Sequence, residues 1–289
     1  MIFPGSMAID PTGRLWVADT GNSRFAIFDP DGTFVEYWEH RGTGVGEFIL
    51  DRSDGSGFGA IAFAPDGSFY VLDVGNHRVE HFDKQRTFIK AWGSFGSNAG
   101  EFIDPYGLAV DPNGVVYVID DKRDVVERYD ADGTVLGSIK AYPDVPPEHS
   151  APTFVVDGVG DLYTSTNDPS QVQKLDPSGT ALVTFGSKGT GPGQFSDQPG
   201  AAAVDGADRL FVTQGPIGSS DKVQIFDADG KFLASFGSPG SGDGQVEFPF
   251  GIVLDGAGNV YVTDAATNRV EKFRLLPPFA QAGTASPSP

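Results

Sequence analysis

An all-β fold, a six-bladed β-propeller of four-stranded antiparallel blades with a weak fourth strand in the last, is predicted by three observations. First, the chain is built on a strand–turn–strand unit. In Gly107 to Tyr129, Leu108 and Val110 and then Val116, Tyr117 and Val118 form two runs of β-branched and aromatic residues, with Asp111, Pro112, Asn113 and Gly114 between them. Asp bonds the backbone two residues on, Pro presets φ and Gly tolerates the exit geometry, which are the preferences of a type I turn. Val125, Val126 and Tyr129 supply a third strand, and Asp130 to Gly133 turns the chain into a fourth, Val135 to Ile139. Second, the unit recurs in two registers. The aromatic of the second strand returns at Trp16, Tyr70, Tyr117, Tyr163, Phe211 and Tyr261, with spacings of 54, 47, 46, 48 and 50 by subtraction, and the apolar residue near the end of the third at Phe28, Phe82, Tyr129, Leu175, Phe226 and Phe273. Third, no segment sustains a 3.6-residue period, so repeats of roughly 40 to 50 residues read as blades and not as helical units.

Blade one, about 4–38, is complete, with strands near Met7 to Ile9, Leu15 to Ala18, Phe25 to Phe28 and Phe34 to Trp38. The spacer after it is longer than the next: 26 residues separate Trp38 from Ala64, against 19 between Trp92 and Asp111. Blade two, about 58–92, contains Asp73 to Val79. Blade three, about 106–139, departs from its neighbours at Asp120 to Asp124, and the spacer Tyr142 to His149 is proline-rich where the others are glycine-rich. Blade four, about 152–185, has Thr166 where others have Asp and Gln171 where others have Arg. Blade five, about 200–236, has Gln214 at the Asp position and an insertion within 215–221. Blade six, about 250–283, restores Asp264, Asn268 and Arg269 but offers only 279–283 as a fourth strand, expected as an edge. Residues 284–289 read as a disordered tail. The blades together, 1–283, are expected to form a single domain, because a ring of blades is one domain despite its length.

These residues resemble the NHL repeat. The resemblance is carried by Ile9, Asp10, Gly13, Leu15 to Asp19, Asn22, Arg24, Phe28 and Asp29 to Gly32, by the matching residues of blades two and six, and by the spacer residues Trp92, Gly93, Gly100 to Phe102, Pro105 and Gly107. It covers nearly the whole chain and implies a six-bladed NHL-type propeller. That fold is shared by ligand-binding sensors, RNA binders and a few lyases or hydrolases, and fold does not choose among them.

Composition narrows the choice. The 289 residues carry a formal charge of −19, with 20 Lys and Arg against 39 Asp and Glu. Many carboxylates sit in the turns, as Asp10, Asp66, Asp111, Asp157, Asp205 and Asp255 in one set and Asp29, Asp83, Asp130, Asp176 and Asp227 in the other. The acidity is therefore largely turn chemistry on a solvated surface. No basic groove is visible, which argues against nucleic acid as a partner. With no cysteine there is no disulfide, thiol nucleophile or thiolate metal site. The N-terminus lacks a basic n-region and an apolar h-region, and no run of about 18 apolar residues could span a bilayer. A soluble monomer without membrane insertion is expected. Phe3, Pro4 and Gly5 enter the first blade at once, so an upstream leader or anchor, with an extracytoplasmic location, is compatible with the chain.

In a four-stranded meander the loops between blades and those joining strands two and three share one end, and the Asp-initiated turns share the other. The irregular segments 49–55, 142–149 and 215–221 therefore fall on one face, and long loops on a rigid scaffold tend to carry function. Asp51, Arg52, Asp54, Arg123, Tyr142, His149 and Asp168 are the candidate ligand contacts there. Asp19 with Arg24, Asp73 with Arg78 and Asp264 with Arg269 share one spacing; a repeated pair suits a turn cap and a clamp across strands two and three better than a unique site. The resemblance also implies two metal chemistries to look for. Amidating lyases of similar fold gather histidines from several blades on zinc, but here only His40, His77, His81 and His149 exist, and His77, in a loop without counterparts, reads as a surface residue. Lactonase-like and esterase-like propellers hold calcium at the central mouth. The innermost-strand positions here are Ser6, Ala60, Gly107, Thr153, Ala201 and Gly251, none a carboxylate or amide. No metal or cofactor is expected from these residues. Trp38, Trp92, Phe185 and Phe236 read as core between blades. The glycine-rich runs 42–46, 55–59 and 189–193 lack a following helix to cradle phosphate, and no serine sits in a strand–helix elbow. The expected function is a non-catalytic scaffold or sensor that binds a protein, peptide or glycan through the loop face. The alternative is a metal-dependent lyase or hydrolase with a cation held over the channel.

Overall fold

A computed structural model describes residues 1–52, 58–142, 150–196, 198–215, 221–275 and 285–287. They form six antiparallel sheets, each a meander of strands neighbouring in chain order. The first holds β1 (Pro4–Ile9), β2 (Leu15–Asp19), β3 (Arg24–Phe28) and β4 (Phe34–Glu39). The second holds β5 (Ala60–Phe63), β6 (Phe69–Asp73), β7 (Arg78–Phe82) and β8 (Phe88–Trp92), and the third β9 (Pro105–Val110), β10 (Val116–Asp120), β11 (Val125–Tyr129) and β12 (Val135–Lys140). The fourth has β13 (Ser150–Val156), β14 (Leu162–Asn167), β15 (Ser170–Leu175) and β16 (Ala181–Phe185), and the fifth β17 (Pro199–Val204), β18 (Leu210–Gln214), β19 (Lys222–Phe226) and β20 (Phe232–Phe236). The sixth has three full strands, β21 (Pro249–Leu254), β22 (Asn259–Asp264) and β23 (Arg269–Leu275), and a three-residue β24 (Ala285–Pro287). This is the all-β architecture of a six-bladed propeller. The proposed edge strand 279–283 lies outside the described residues. β24 pairs Ala285 with Leu275 and Pro287 with Phe273, within the stretch that the sequence reads as a tail.

The chain divides into two compact units, Met1–Pro143 and Asp144–Pro289, of three sheets each. In the first, strands buried on both faces read as continuous apolar runs: every residue of β2, β6 and β10 is buried. Alternation sends Phe69 and Val71 to a core with Trp16, Phe25, Trp38, Phe48 and Phe82. Tyr70 and Leu72 go the other way, to a core with Val79, Phe102, Val116 and Tyr129, against which Trp92 packs. Trp38 meets Phe82 edge to face with ring centroids 5.1 Å apart. In the second unit Phe195 and Phe226 anchor one core, with Phe185 against it, and Phe211, Phe236 and Phe273 another. The four aromatics read as inter-blade core all lie in or against these clusters.

The turns follow their sequence chemistry. Asp10 Oδ1 accepts the amides of Thr12 at 2.8 Å and Arg14 at 3.0 Å, and the Gly13 amide, at φ +89°, bonds the Asp10 carbonyl. Blade two differs from its reading. Gly67 donates to the carbonyl of Ala64, so Ala64 holds the place of Asp10, and Asp66 lies two positions on, bonded to the Ser68 amide and hydroxyl. At the other end, the spacers are anchored by buried Phe48, Phe102, Phe195 and Val246, whose amides bond the carbonyls of His40, Ser94, Ser187 and Ser238 at 2.7, 2.8, 2.9 and 2.9 Å. Among the described residues no helix is long and apolar enough to cross a membrane.

Candidate ligand site on the loop face

The repeated charged pairs are architectural. Arg24 meets Asp19 at 2.7 Å and Arg78 meets Asp73 at 2.8 Å, across strands two and three. Their reach is longer than a local clamp. Asp73 has no exposed surface, and it accepts the spacer amide of Ile49 at 2.8 Å and the Asn76 side chain at 2.7 Å. Arg78 continues outward to the carbonyls of Gly44 and Glu47 at 2.7 and 2.6 Å. Arg269 binds Ser241 and Gln245 carbonyls in the same way, and Asp264 takes the Glu247 amide. Asp264 caps its turn as expected, accepting the Thr267 amide at 3.0 Å, whereas neither Asp19 nor Asp73 bonds a backbone amide of its own turn. In blades two and six these carboxylates and guanidiniums staple spacers to blades, and in blade one Asp19 takes the Ile2 amide instead. Burial pushes the Asp73 and Asp120 carboxyls up, and the spacer amides of Ile49, and of Ile103 and Asp104, pull against it.

The residue after the strand-two turn is left-handed in four blades, at Ser23, His77, Asp124 and Asn268, and at Ser23 and Asp124 it makes a second staple. Ser23, at φ +48°, donates its hydroxyl to Asp51 at 2.9 Å and accepts the Leu50 amide at 3.2 Å. Asp124 likewise accepts the Tyr142 amide at 3.1 Å. In blade two the position is His77, at φ +54°, and its Nδ1 is buried with no hydrogen-bond partner. A cavity of about 420 Å³ opens there, lined by Arg41, Ile49, Asp51, Arg52, Val74, Gly75 and His77.

Two of the expected ligand contacts thus meet at one place. Asp51 is half-buried and pairs with Arg41 at 3.6 Å, and its backbone bridges to Phe58. Arg52 is held by Asp104 through a terminal nitrogen, while its buried Nε has no hydrogen-bond partner. His77 meets Phe95 edge to face at 5.0 Å, and burial and the Arg52 charge hold its pKa below the ordinary value. Arg52 and His77 thus both line one cavity, and each carries a buried nitrogen, on a guanidinium and an imidazole, without a hydrogen-bond partner in the protein. Such groups are costly to leave unmade, so a ligand that satisfies both gains affinity.

The remaining expected contacts lie elsewhere. Arg123 is used by the scaffold, bonding Glu127 at 2.9 Å and the Glu101 carbonyl. Tyr142 is 1% exposed, and burial drives its hydroxyl pKa well upward, so it belongs to the core and offers no surface for a ligand. Asp168 is exposed at the β14–β15 hairpin in the second unit. Asp54 and His149 lie outside the described residues. His77, Arg41 and Asp104 were not expected at a site. The signal for His77 was its break with Ser23, Asp124 and Asn268, side chains able to hold a backbone amide. Among the described residues no three His, Asp or Glu side chains gather to hold a metal ion.

The NHL-repeat profile matches residues 2–28. That match places one NHL repeat in the first blade. The human NHL repeat-containing protein 3 is 31% identical over 138 residues, 44% of this chain and 35% of that protein. The matches span about a third or less of the curated relatives. Among solved structures, a catalytically inactive virginiamycin B lyase from Staphylococcus aureus with quinupristin aligns with a TM-score of 0.64 at 15% identity, covering 98% of this chain and 84% of that one. A gluconolactonase from Xanthomonas campestris aligns at 0.61 with 18% identity, covering 91% and 83%. At these identities the likeness is one of fold, which this chain shares with both.

Proposed function

We propose that the NHL repeats form a non-catalytic binding scaffold, and that the cavity of Arg52 and His77 anchors an acidic group of a protein, peptide or glycan partner on the loop face. The observation that carries this is that two residues lining one cavity, Arg52 and His77, each hold an unpartnered buried nitrogen, Nε and Nδ1. A carboxylate accepts from a guanidinium in fixed geometry and favours a protonated imidazole. Since His77 is held below its ordinary pKa when alone, acid-group binding raises that pKa, and affinity increases as pH falls from about 8 to about 6.

A random peptide library displayed on phage and panned against the protein tests the reading. Recovered peptides should be enriched in Asp and Glu, and Arg52→Ala should weaken them at least about tenfold, with Arg52→Lys recovering part of the loss. Peptides without acidic enrichment, or unaffected by Arg52→Ala, contradict it. The catalytic alternative draws on the lyase and gluconolactonase of similar fold. It predicts stoichiometric metal in protein purified without chelator and a melting temperature that falls on adding EDTA.

A further inference from the structure

At the turn end of the second and third sheets lies another cavity, of about 390 Å³, whose walls include Ala64, Asp66, Tyr70, His81, Asp130 and Leu136. The repeats themselves indicate what belongs there. Near the start of each second strand is an aromatic ring, and most of these rings have a basic group of the chain beside them. The Arg86 guanidinium lies over Trp16 at 4.8 Å, the Lys174 ammonium over Tyr163 at 5.2 Å and the Lys272 ammonium over Tyr261 at 5.2 Å. Arg128 is the cross-strand partner of Tyr117. The fifth sheet is apolar at this point, with Phe211 opposite Ile225.

Tyr70 differs from all of these. Its cross-strand partner is His81, which stacks on it with centroids 4.2 Å apart. The turn position that supplies Arg86 in the second sheet is Gly133 in the third. Gly133 has φ +74°, and a Cβ there would lie 2.5 Å from the Trp92 ring, so no side chain can enter from that turn. His81 is 7% exposed; the Ala131 backbone lies close to its ring, and neither ring nitrogen makes a well-formed hydrogen bond. Burial holds its pKa down, with the help of Lys90 and against the pull of Asp66, Asp132 and the Ala131 backbone, so the neutral ring keeps one acceptor nitrogen. Asp66 is fixed by Ser68, and Asp130 by the amides of Asp132 and Thr134. Two carboxylates at the wall repel an anion, and Pro65, Pro112 and Leu136 add apolar surface.

We propose that this cavity receives a lysine or arginine side chain of a partner peptide, its cationic head against Asp66 and Asp130 with a His81 nitrogen accepting, and its methylene stem along Pro65, Pro112 and Leu136. The site takes from a partner the cation that the chain itself supplies beside the ring in four of the other blades. It is independent of the loop-face cavity.

The test is an NMR titration of the protein with Nα-acetyl-lysine amide and Nα-acetyl-arginine amide, with spermidine and Nα-acetyl-norleucine amide as further arms. About 150 mM salt suppresses loose association with the acidic surface. The His81 ring and the amides of Asn113 to Val115 should shift saturably with the two basic amino-acid amides and not with the norleucine compound. His81→Lys, which gives blade two its own ammonium in the manner of Lys174 and Lys272, should abolish the response. Asp66→Asn should weaken it about threefold while the melting temperature holds. No saturable shift, a response to spermidine alone, or equal responses in wild type and His81→Lys would overturn the proposal.

Discussion

Glu80 shows how a single side chain couples the loop face to pH. It has no exposed surface, accepts the Gly46 amide at 3.2 Å and meets Arg78 at 3.1 Å, yet burial pushes its carboxyl up to about 7. A carboxyl whose folded pKa exceeds its unfolded value binds its proton more tightly in the folded state. Its contribution to stability is therefore full below the unfolded value of 4.5 and is lost as pH rises through about 7. Glu80→Gln should flatten the fall in melting temperature between about pH 5 and about pH 8, since the amide does not titrate. Blade five already uses Gln224 in this role, accepting the Gly193 amide at 3.0 Å. Equal falls in both proteins would mean that Glu80 titrates alike folded and unfolded. Little of this residue chemistry was legible in the sequence. His77 stood out as an unmatched loop histidine, but its burial depends on Phe95 and Arg52, and no local pattern brings those residues to it.

At the scale of elements, the staple between spacer and blade is the feature to test. Asp73→Ala removes the acceptor of the Ile49 amide, the Asn76 amide group and the Arg78 guanidinium together, leaving the Ile49 amide without its side-chain acceptor and the other two with one partner fewer. The expected loss is about 3 kcal/mol in urea denaturation, with Asp73→Asn losing less. A loss below about 1 kcal/mol would reduce the staple to an ordinary surface pair. The five-residue spacing from Asp to Arg was visible in the sequence, as was the turn chemistry of most blades. What the carboxylate bonds was not, because Ile49 reaches Asp73 only through the packing of the spacer. Grouping Asp66 with the turn-initiating Asp residues failed for a related reason. Ala64-Pro65-Asp66-Gly67 contains an Asp, and only the bond from Gly67 to the Ala64 carbonyl shows that it sits two places late.

The whole chain carries −19, and self-repulsion of that charge opposes folding. Raising salt from about 20 mM to about 300 mM should therefore raise the melting temperature by screening it; a fall would mean that the charged pairs outweigh the repulsion. The fold class was legible at this scale because turns, strands and spacers recur in register, and each repeat confirms the others. The candidate site was only partly legible, because it lies where recurrence fails: an enlarged spacer brings Asp51 and Arg52, and His77 replaces a staple. The most direct test of the binding account is a double-mutant cycle by calorimetry on a selected acidic peptide, combining Arg52→Ala in the protein with Glu→Gln or Asp→Asn at the peptide's anchoring residue. The account predicts a coupling of at least about 1.5 kcal/mol, with the peptide change costing little once Arg52 is gone. Additive losses would show that Arg52 does not hold the acidic group, and would contradict it.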